Sequence, residues 1–223
     1  MTKGLFFKAI AKFSIGFIIV AAILFLSAGT LRWPNAWLFL GLLFIPMFIA
    51  GIVMMLLDPS LLEKRLTAKE TEGEQRTVIA LSALMFLAAF VLAGLNFRFK
   101  WIELPNWIVF LAAAVFLLAY LMYAEVLREN TYLARTIGVS EGQKVISTGL
   151  YGVVRHPMYL ATLFLFPAMG PVLGSPISFL ILLLYIPLIV KRIKNEEKVL
   201  EAELEGYREY ETRIKYRLIP FIW

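Results

Sequence analysis

Two short stretches of this 223-residue chain concentrate side chains that could bind or transform a ligand. The first reads Arg155-His156-Pro157-Met158-Tyr159, and the second contains Arg192, Glu196 and Glu197. A guanidinium, an imidazole, a phenol and carboxylates can together bind ions, donate hydrogen bonds and move protons. His156 is the only histidine and cysteine is absent, which excludes thiol chemistry and a histidine- or cysteine-rich metal site. We therefore predict no metal site.

Pro157 predicts that a helix begins directly after His156. Proline is favoured at the first helical position, because the N–H that it lacks would have no partner there. The free N–H groups of a helix N-terminus would favour an anion or a lone-pair acceptor beside Arg155 and His156. The alternative is that Arg155 meets lipid phosphate and His156 only caps the helix. The tripeptide alone leaves both interpretations open.

Turn-forming and charged residues surround these stretches. Gly149 and Gly152 flank Tyr151 and permit a close approach of the backbone to a ligand, although an ordinary loop would use them too. Glu196 and Glu197 follow an apolar segment closely, and ionisable residues beside a membrane cavity are functional candidates. Each residue turns a helix by about 100°, so the spacing leaves open which glutamate faces a ligand.

The composition indicates that lipid is the solvent for much of the chain. Hydrophobic residues make up 61% of it, against about 45–50% in soluble domains. A bilayer core of about 30 Å needs about 20 apolar residues in a helix. We predict spans at Phe6–Ala28, Ala36–Leu57, Thr77–Leu95 and Trp107–Leu127, and shorter ones at Pro157–Leu173 and Ile177–Val190. The last two should form a hairpin that turns at residues 170–175.

The predicted fold is therefore all-α, an integral membrane helical bundle of five to six transmembrane helices. We treat residues 1–223 as a single membrane domain, in which residues 1–127 supply the N-terminal helices and residues 128–223 supply the chemistry. Near the C-terminus, Leu200, Leu204, Tyr207, Tyr210 and Ile214 repeat at helical spacing. This stripe predicts one amphipathic tail helix from Glu196 to Lys215, followed by an apolar terminus that docks back on the bundle.

The distribution of basic residues predicts the orientation of the chain. Nineteen of the 22 lysines and arginines fall in segments that are cytoplasmic if the N-terminus is inside. Cytoplasmic loops carry such an excess, so we expect both termini in the cytoplasm. Because the basic residues flank apolar spans, the net charge of +6 favours membrane lipids with anionic headgroups as partners, and not nucleic acid.

The spacing of the two polar stretches matches a known family. Arg155–Tyr159, followed some forty residues later by Glu196-Glu197, resembles the signature of the isoprenylcysteine carboxyl methyltransferases, integral membrane enzymes with phospholipid methyltransferase relatives. Thr148–Tyr151 is similar to the Gly-x-Tyr turn of this family, and Glu205–Tyr210 is similar to its tail. The resemblance extends over roughly residues 125 to 223.

This resemblance implies S-adenosylmethionine as cofactor, enclosed by the C-terminal segments, and a lipophilic methyl acceptor that enters from the bilayer. It implies carboxyl O-methylation of an isoprenylcysteine-like or other lipid, with Arg192 on the substrate carboxylate. An amine acceptor must lose a proton, which Glu197 or His156 could take. We count Arg192 and Glu197 as catalytic candidates. The implied cofactor-binding residues are Gln143, Lys144, Val145, Ile146, Tyr151, His156, Pro157, Met158, Tyr159 and Glu196.

Three alternatives stay open at the level of sequence. A phospholipid amine could be the methyl acceptor in place of a carboxylate. A membrane reductase that uses NADPH on an enone lipid could share the C-terminal topology. The third alternative is a protein without catalysis, such as a channel, a transporter subunit or a scaffold. Transporters usually show interrupted helices in both halves, whereas here only the C-terminal half is interrupted. The oligomeric state is not readable from the sequence.

Overall fold

The structure is a computed structural model that describes residues 3–67, 73–133 and 138–223. All regular secondary structure in these ranges is helical, as expected for the predicted all-α class. The α-helices are α1 (Lys3–Ala28), α2 (Pro34–Leu57), α3 (Pro59–Thr67), α4 (Gly73–Phe99), α5 (Asn106–Glu129), α6 (Pro157–Val172), α7 (Pro176–Leu182), α8 (Tyr185–Glu203) and α9 (Tyr207–Arg213). A 3₁₀ turn, Gly149–Gly152, lies between α5 and α6.

The described residues contain five helical segments that are long and apolar enough to cross a membrane. They are α1, α2, most of α4, α5 and the segment Pro176–Glu203, which contains α7 and α8. Helix α6 has 16 residues and rises about 24 Å, somewhat less than the bilayer core. The protein is thus an integral, multi-pass membrane protein, and the predicted helical membrane bundle is confirmed.

Proline defines where several helices begin. Pro34, Pro157 and Pro176 each occupy the start of a helix, where the missing N–H costs nothing. Helix α3 begins in the same way at Pro59, and its free amide at Leu61 donates to the side chain of Asp58 at 3.0 Å. The predicted helix start after His156 is confirmed.

Small residues let the helices of the bundle approach closely. A Cβ atom on Gly94 of α4 would lie 1.9 Å from Ser27 Oγ of α1. A Cβ atom on Gly170 of α6 would lie 2.3 Å from the backbone nitrogen of Phe179 in α7. Between membrane helices, tight packing and interhelical hydrogen bonds replace the hydrophobic effect as the driving force. Ser178 of α7 supplies such a bond to the backbone oxygen of Ala89 in α4, at 2.7 Å.

The predicted C-terminal hairpin forms, with a shorter turn than expected. Helix α6 continues through Pro167 and Pro171 to Val172, and the chain reverses around Gly174, whose φ is +76°. The returning arm is not one helix, because α7 ends at Leu182 and α8 begins at Tyr185. Gly170, which we expected in the turn, is instead a helix-packing position.

The predicted continuous tail helix is wrong. Helix α8 ends at Glu203, and a new helix, α9, starts at Tyr207 after Gly206, whose φ of +81° breaks the helical path. Such a φ is open to glycine at little cost and is rare for other residues. The predicted stripe nevertheless packs together, because Leu204, Tyr207 and Tyr210 form a buried cluster.

The chain end docks back on the bundle, as predicted. The backbone N–H groups of Arg155 and His156 donate to the carbonyl oxygens of Tyr216 and Arg217, both at 2.9 Å. Leu218 is buried in the main hydrophobic core. The last residues therefore form one wall beside the start of α6.

Candidate functional site

A partly open cavity lies among the C-terminal elements, and about 90 Å³ within it is open to the centres of water-sized molecules. Helices α6, α8 and α9 line this cavity together with the end of α5 and the segment from residue 138 to the 3₁₀ turn. The cavity thus brings together segments that are up to about 80 residues apart in the sequence.

The end of α5 and the 3₁₀ turn position Tyr151 in the cavity wall. Glu129 accepts a hydrogen bond from Thr148 Oγ1 at 2.7 Å, and its carboxylate packs against Gly149, which has a φ of +54°. Asn130 Nδ2 then donates to the hydroxyl of Tyr151 at 3.0 Å. Burial raises the pKa of Tyr151 to about 12, so its hydroxyl stays protonated at neutral pH.

Arg192, Tyr159 and Glu196 form a connected polar group on one side of the cavity. Arg192 Nε donates to the hydroxyl of Tyr159 at 3.0 Å, and that hydroxyl donates to Glu196 Oε2. The ring of His156 stacks on the ring of Tyr159, with centroids 5.8 Å apart. The arrangement presents a guanidinium, a carboxylate and two aromatic faces to the same space.

Glu197 lies behind this wall, at the centre of a buried ion cluster. Its Oε1 atom is 2.8 Å from Arg155 Nη2 and 3.1 Å from His156 Nε2, and its Oε2 atom accepts from Arg217 Nε at 2.6 Å. Arg155 also contacts Glu211 at 3.0 Å, and burial raises the pKa of Glu211 above its ordinary value although Arg155 opposes this. Arg155 is therefore paired inside the protein, and the alternative that it meets lipid phosphate is wrong.

The structure brings ten of the predicted site residues together in the cavity lining: Gln143, Lys144, Val145, Ile146, Tyr151, His156, Met158, Tyr159, Arg192 and Glu196. Pro157 and Glu197 do not line it. Pro157 begins α6 directly beside the lining, whereas Glu197 faces the ion cluster and is 2% exposed. The orientation that the sequence left open is thereby fixed, since Glu196 faces the cavity.

The anion site that we expected at the N-terminus of α6 is partly occupied by the protein itself. The amides of Arg155 and His156 are taken by the carbonyl groups of Tyr216 and Arg217. His156 Nε2 contacts a carboxylate that already binds two guanidinium groups, and because an ionised carboxylate only accepts hydrogen bonds, this nitrogen is the donor. The cluster thus fixes the orientation of the histidine that lines the cavity.

Sequence reasoning missed several lining residues. They are Asn130, Tyr132, Leu133, Gly138, Leu200, Leu204, Tyr207 and Tyr210. Asn130 and Tyr132 belong to a polar stretch after the fourth predicted span, which was the available signal for them. The stripe from Leu200 to Tyr210 was visible too, but periodicity alone could not distinguish a buried core face from a cavity wall.

The chemistry of the lining fits a cofactor that is charged at one end and flat and apolar at the other. Glu196 supplies a carboxylate for a cation such as a sulfonium, and the rings of Tyr151 and Tyr159 supply aromatic faces that attract cations. Leu200, Leu204 and Val145 supply apolar contact elsewhere in the cavity. Among the described residues no group of three or more histidine, cysteine, aspartate or glutamate side chains could hold a metal ion.

The part of the chain that contains most of this cavity is similar in sequence to known proteins. Residues 113–202 match the sequence model of the isoprenylcysteine carboxyl methyltransferase (ICMT) family. A stretch of 91 residues, 40% of this chain, is 30% identical to the Delta(14)-sterol reductase of Mus musculus, and the chain spans 22% of the length of that relative.

One solved structure is similar to nearly the whole of this chain. It is that of the eukaryotic intramembrane Ras methyltransferase ICMT without a monobody, which superposes with a TM-score of 0.58. The match covers 96% of this chain and 77% of that chain at 17% sequence identity, a level at which the likeness shows the fold. By sequence, residues 113–202 thus match the model of the isoprenylcysteine carboxyl methyltransferase family, and the chain has the fold of the solved ICMT structure.

Proposed function

We propose that this protein is a membrane methyltransferase that uses S-adenosylmethionine and transfers its methyl group to a lipophilic acceptor. The observation that carries the proposal is the cavity built within the family-matching segment and its tail, where Glu196, Tyr159 and Arg192 form one hydrogen-bonded group. Bound there, S-adenosylmethionine would supply an electrophilic methyl group on a cationic sulfur.

The residues of the chain have separate tasks in this proposal. Glu196 and the rings of Tyr151 and Tyr159 bind the cationic part of the cofactor, and Gln143, Lys144, Val145, Ile146, His156 and Met158 complete its shell. Gln143 suits a fixed shell position, because its side-chain oxygen accepts from the amide of Ser140 at 2.9 Å and holds its own turn. Pro157 contributes by starting α6 at the edge of the shell.

Arg192 is the proposed contact for the methyl acceptor. A carboxylate acceptor is ionised at neutral pH and needs no general base, so the protein would act by alignment and desolvation of the reacting pair. A guanidinium binds a carboxylate well, and Arg192 is held next to Glu196 by the shared hydroxyl of Tyr159. We therefore favour carboxyl O-methylation of an isoprenylcysteine-like or other lipid, with a phospholipid amine as the alternative acceptor.

Glu197 is proposed as a positioning residue. Its carboxylate binds Arg155, His156 and Arg217 together, so it fixes the histidine in the cavity wall and attaches the end of the chain to α8. Proton abstraction from an amine acceptor, the other role considered for Glu197, would need the carboxylate to leave these three partners.

One observation favours a second candidate function, a lipid reductase. A stretch of this chain is 30% identical to part of a Delta(14)-sterol reductase, a protein named for a different class of reaction. In that case NADPH would occupy the cavity and an enone or sterol lipid would be the acceptor.

Calorimetric titration of the detergent-purified protein separates the two functions. We expect S-adenosylmethionine and S-adenosylhomocysteine to bind with micromolar Kd, and NADPH to bind far more weakly. Folded protein that binds NADPH and neither sulfur ligand would overturn the methyltransferase proposal. For the acceptor, Arg192→Ala should raise the KM of a prenylated carboxylate while leaving the Kd of S-adenosylhomocysteine nearly unchanged. An unchanged KM would exclude a carboxylate held by Arg192.

A further inference from the structure

Helix α3 lies outside the family-matching segment, and none of its described residues lines the cavity. It is nevertheless held at both ends. Asp58 accepts from the amide of Leu61 at its start, and Lys12 of α1 donates to the backbone oxygen of Leu66 near its end. Leu61 and Leu62 are buried. A helix of nine residues is marginal by itself, so these contacts give α3 a fixed place in the protein.

Arg65 connects α3 to the end of α5. Its Nη2 atom donates to the hydroxyl of Tyr123 in α5, and its guanidinium carbon lies 5.6 Å from the centroid of that ring. Its Nη1 atom donates to the backbone oxygen of Leu133, just beyond α5, over 3.4 Å. The planar fork of an arginine can bind two acceptors in a fixed geometry, which the single ammonium group of a lysine cannot. Arg65 therefore ties α3 both to α5 and to the turn that follows it.

This turn, Asn130–Leu133, is one wall of the cavity, and we call it the wall turn. Asn130, Tyr132 and Leu133 all line the cavity. The amide of Leu133 donates to the backbone oxygen of Asn130 at 3.3 Å, and the amide of Tyr132 donates to the side chain of Asn130 at 3.0 Å. Asn130 also donates to the hydroxyl of Tyr151, a further lining residue. A shift of the wall turn would therefore change the shape of the cavity.

The wall turn has little packing of its own. Thr131 is exposed, and Tyr132 and Leu133 are half-buried. Backbone segments with few buried contacts open locally at a small cost in free energy. A hydrogen bond from a guanidinium is charge-assisted and stronger than one between neutral groups. The bond from Arg65 to Leu133 is thus placed to decide how often the turn is in its position.

We propose that Arg65 is a positioning residue that holds the wall turn in place, so that α3 completes the binding site from outside the family-matching segment. Arg65 itself is not in the cavity lining. The inference rests on the proposed function only for the identity of the ligand, since any molecule in the cavity meets the same wall. If the binding-competent position is occupied for only a fraction of the time, the measured Kd is the intrinsic Kd divided by that fraction. Loss of Arg65 therefore weakens binding without removing a ligand contact.

A spin label tests the position of the wall turn without any ligand. The chain has no cysteine, so a nitroxide can be attached at one introduced cysteine. Thr131→Cys puts the label on the exposed part of the wall turn, and Glu205→Cys puts a reference label on the exposed link between α8 and α9. EPR spectra of the full chain in detergent give the mobile fraction at each label. We expect Arg65→Ala to raise this fraction at residue 131 and to leave it unchanged at residue 205.

Two further variants serve as controls. Lys12→Ala also removes a cation bonded to α3, but this cation belongs to α1, so the spectrum at residue 131 should not change. Tyr123→Phe is the milder variant, because it removes the partner of one arm of the guanidinium and leaves the bond to Leu133. It should give a smaller increase in the mobile fraction. Adding Tyr123→Phe to Arg65→Ala should have no further effect, since both changes act on the same contact.

Calorimetric titration then connects the wall turn to binding. We expect Arg65→Ala to raise the Kd of S-adenosylhomocysteine about three- to tenfold, as for a turn that is in place for about one third to one tenth of the time. The ratio of the two Kd values should equal the reciprocal of the immobile fraction in the EPR spectrum. Lys12→Ala should bind as the wild type does.

Each other outcome has a definite meaning. Equal spectra at residue 131 in wild type and Arg65→Ala overturn the inference, whatever the protein binds. So does a mobile wall turn with an unchanged Kd, or an equal gain of mobility at residue 205. If the wild type binds NADPH and not S-adenosylhomocysteine, the methyltransferase proposal fails, and the ratio of the NADPH Kd values decides the inference. Wild type that binds neither would overturn the proposed function, and the spectra alone would then decide whether Arg65 holds the wall turn.

Discussion

At the scale of the residue, Glu196 and Glu197 are sequence neighbours with opposite surroundings. Glu196 faces the cavity and accepts from the hydroxyl of Tyr159. Glu197 is enclosed by Arg155, His156 and Arg217. Because removal of one partner from a buried ion cluster leaves the other charges unpaired, the two glutamates should respond differently to the same substitution.

We expect Glu197→Gln to lower the stability of the protein by about 3 kcal/mol, since the amide retains the shape of the side chain but leaves two buried or half-buried arginines without their carboxylate. Thermal unfolding in detergent, followed by fluorescence of the tryptophans, measures this change.

Glu196→Gln is the matched control. It should leave the melting temperature almost unchanged and weaken S-adenosylmethionine binding about tenfold or more, because the charged contact to the cationic sulfur is lost. Equal losses of stability in both variants would show that the two carboxylates do not differ in the way that the structure indicates.

At the scale of the element, the contact between α6 and α7 determines how the C-terminal hairpin closes. A Cβ atom on Gly170 would meet the backbone of Ser178 and Phe179, which cannot rotate away as a side chain could. Ser178 is at the same time tied to Ala89 of α4. The hairpin carries His156 and Tyr159 on one arm and Arg192 and Glu196 on the other, so the spacing of its arms sets the width of the cavity.

We expect Gly170→Ala to destabilise the protein by about 1–3 kcal/mol, the usual cost of inserting a methyl group into closely packed surroundings. The free energy of unfolding in mixed micelles, from denaturant titration, is the measurement. Gly51→Ala in α2 serves as control, because a Cβ atom there has no neighbour within 4 Å and the substitution should cost nothing. The packing argument fails if both variants are as stable as the wild type.

At the scale of the whole molecule, the distribution of positive charge predicts the orientation of the bundle in the membrane. The chain contains no cysteine, so single cysteines can be introduced without a background. In spheroplasts or right-side-out vesicles, a membrane-impermeant maleimide should label Glu103→Cys, in the exposed turn between α4 and α5, and spare Glu205→Cys until the membrane is opened. The reverse pattern would place both termini outside the cytoplasm.

The tyrosines around the cavity predict a loss of stability at alkaline pH. Burial raises the pKa of Tyr151 to about 12 and raises the pKa values of Tyr207 and Tyr210 above their ordinary value. An unfolded tyrosine loses its proton near pH 10, so above this pH the folded chain binds more protons than the unfolded chain. Stability therefore falls as the pH rises further.

Melting temperatures of wild type and Tyr207→Phe between about pH 9 and 11 test this expectation. The variant has one buried phenol fewer and should lose less stability over the range. Because lysines and arginines titrate equally in both proteins, the difference between the two curves isolates the tyrosine. Parallel curves would contradict the expectation.

The sequence by itself determined that this protein lies in lipid, where most of its helices run and which segments carry its polar residues. Long apolar runs require lipid whatever the packing, and Pro157 begins a helix because its ring lacks an N–H at a position that needs none. The types and spacing of Arg155, His156, Glu196 and Glu197 were sufficient to identify a candidate site in the C-terminal part.

Only the tertiary structure decided how these parts face each other. A rotation of about 100° per residue separates Glu196 from Glu197, and the packing of α8 against the start of α6 and the chain end selected the first for the cavity. Gly206 interrupts the tail through its backbone conformation, which a side-chain pattern does not record. The same stripe of Leu200, Leu204 and Tyr207 would suit a core or a cavity wall, and only the segments opposite them made it a wall.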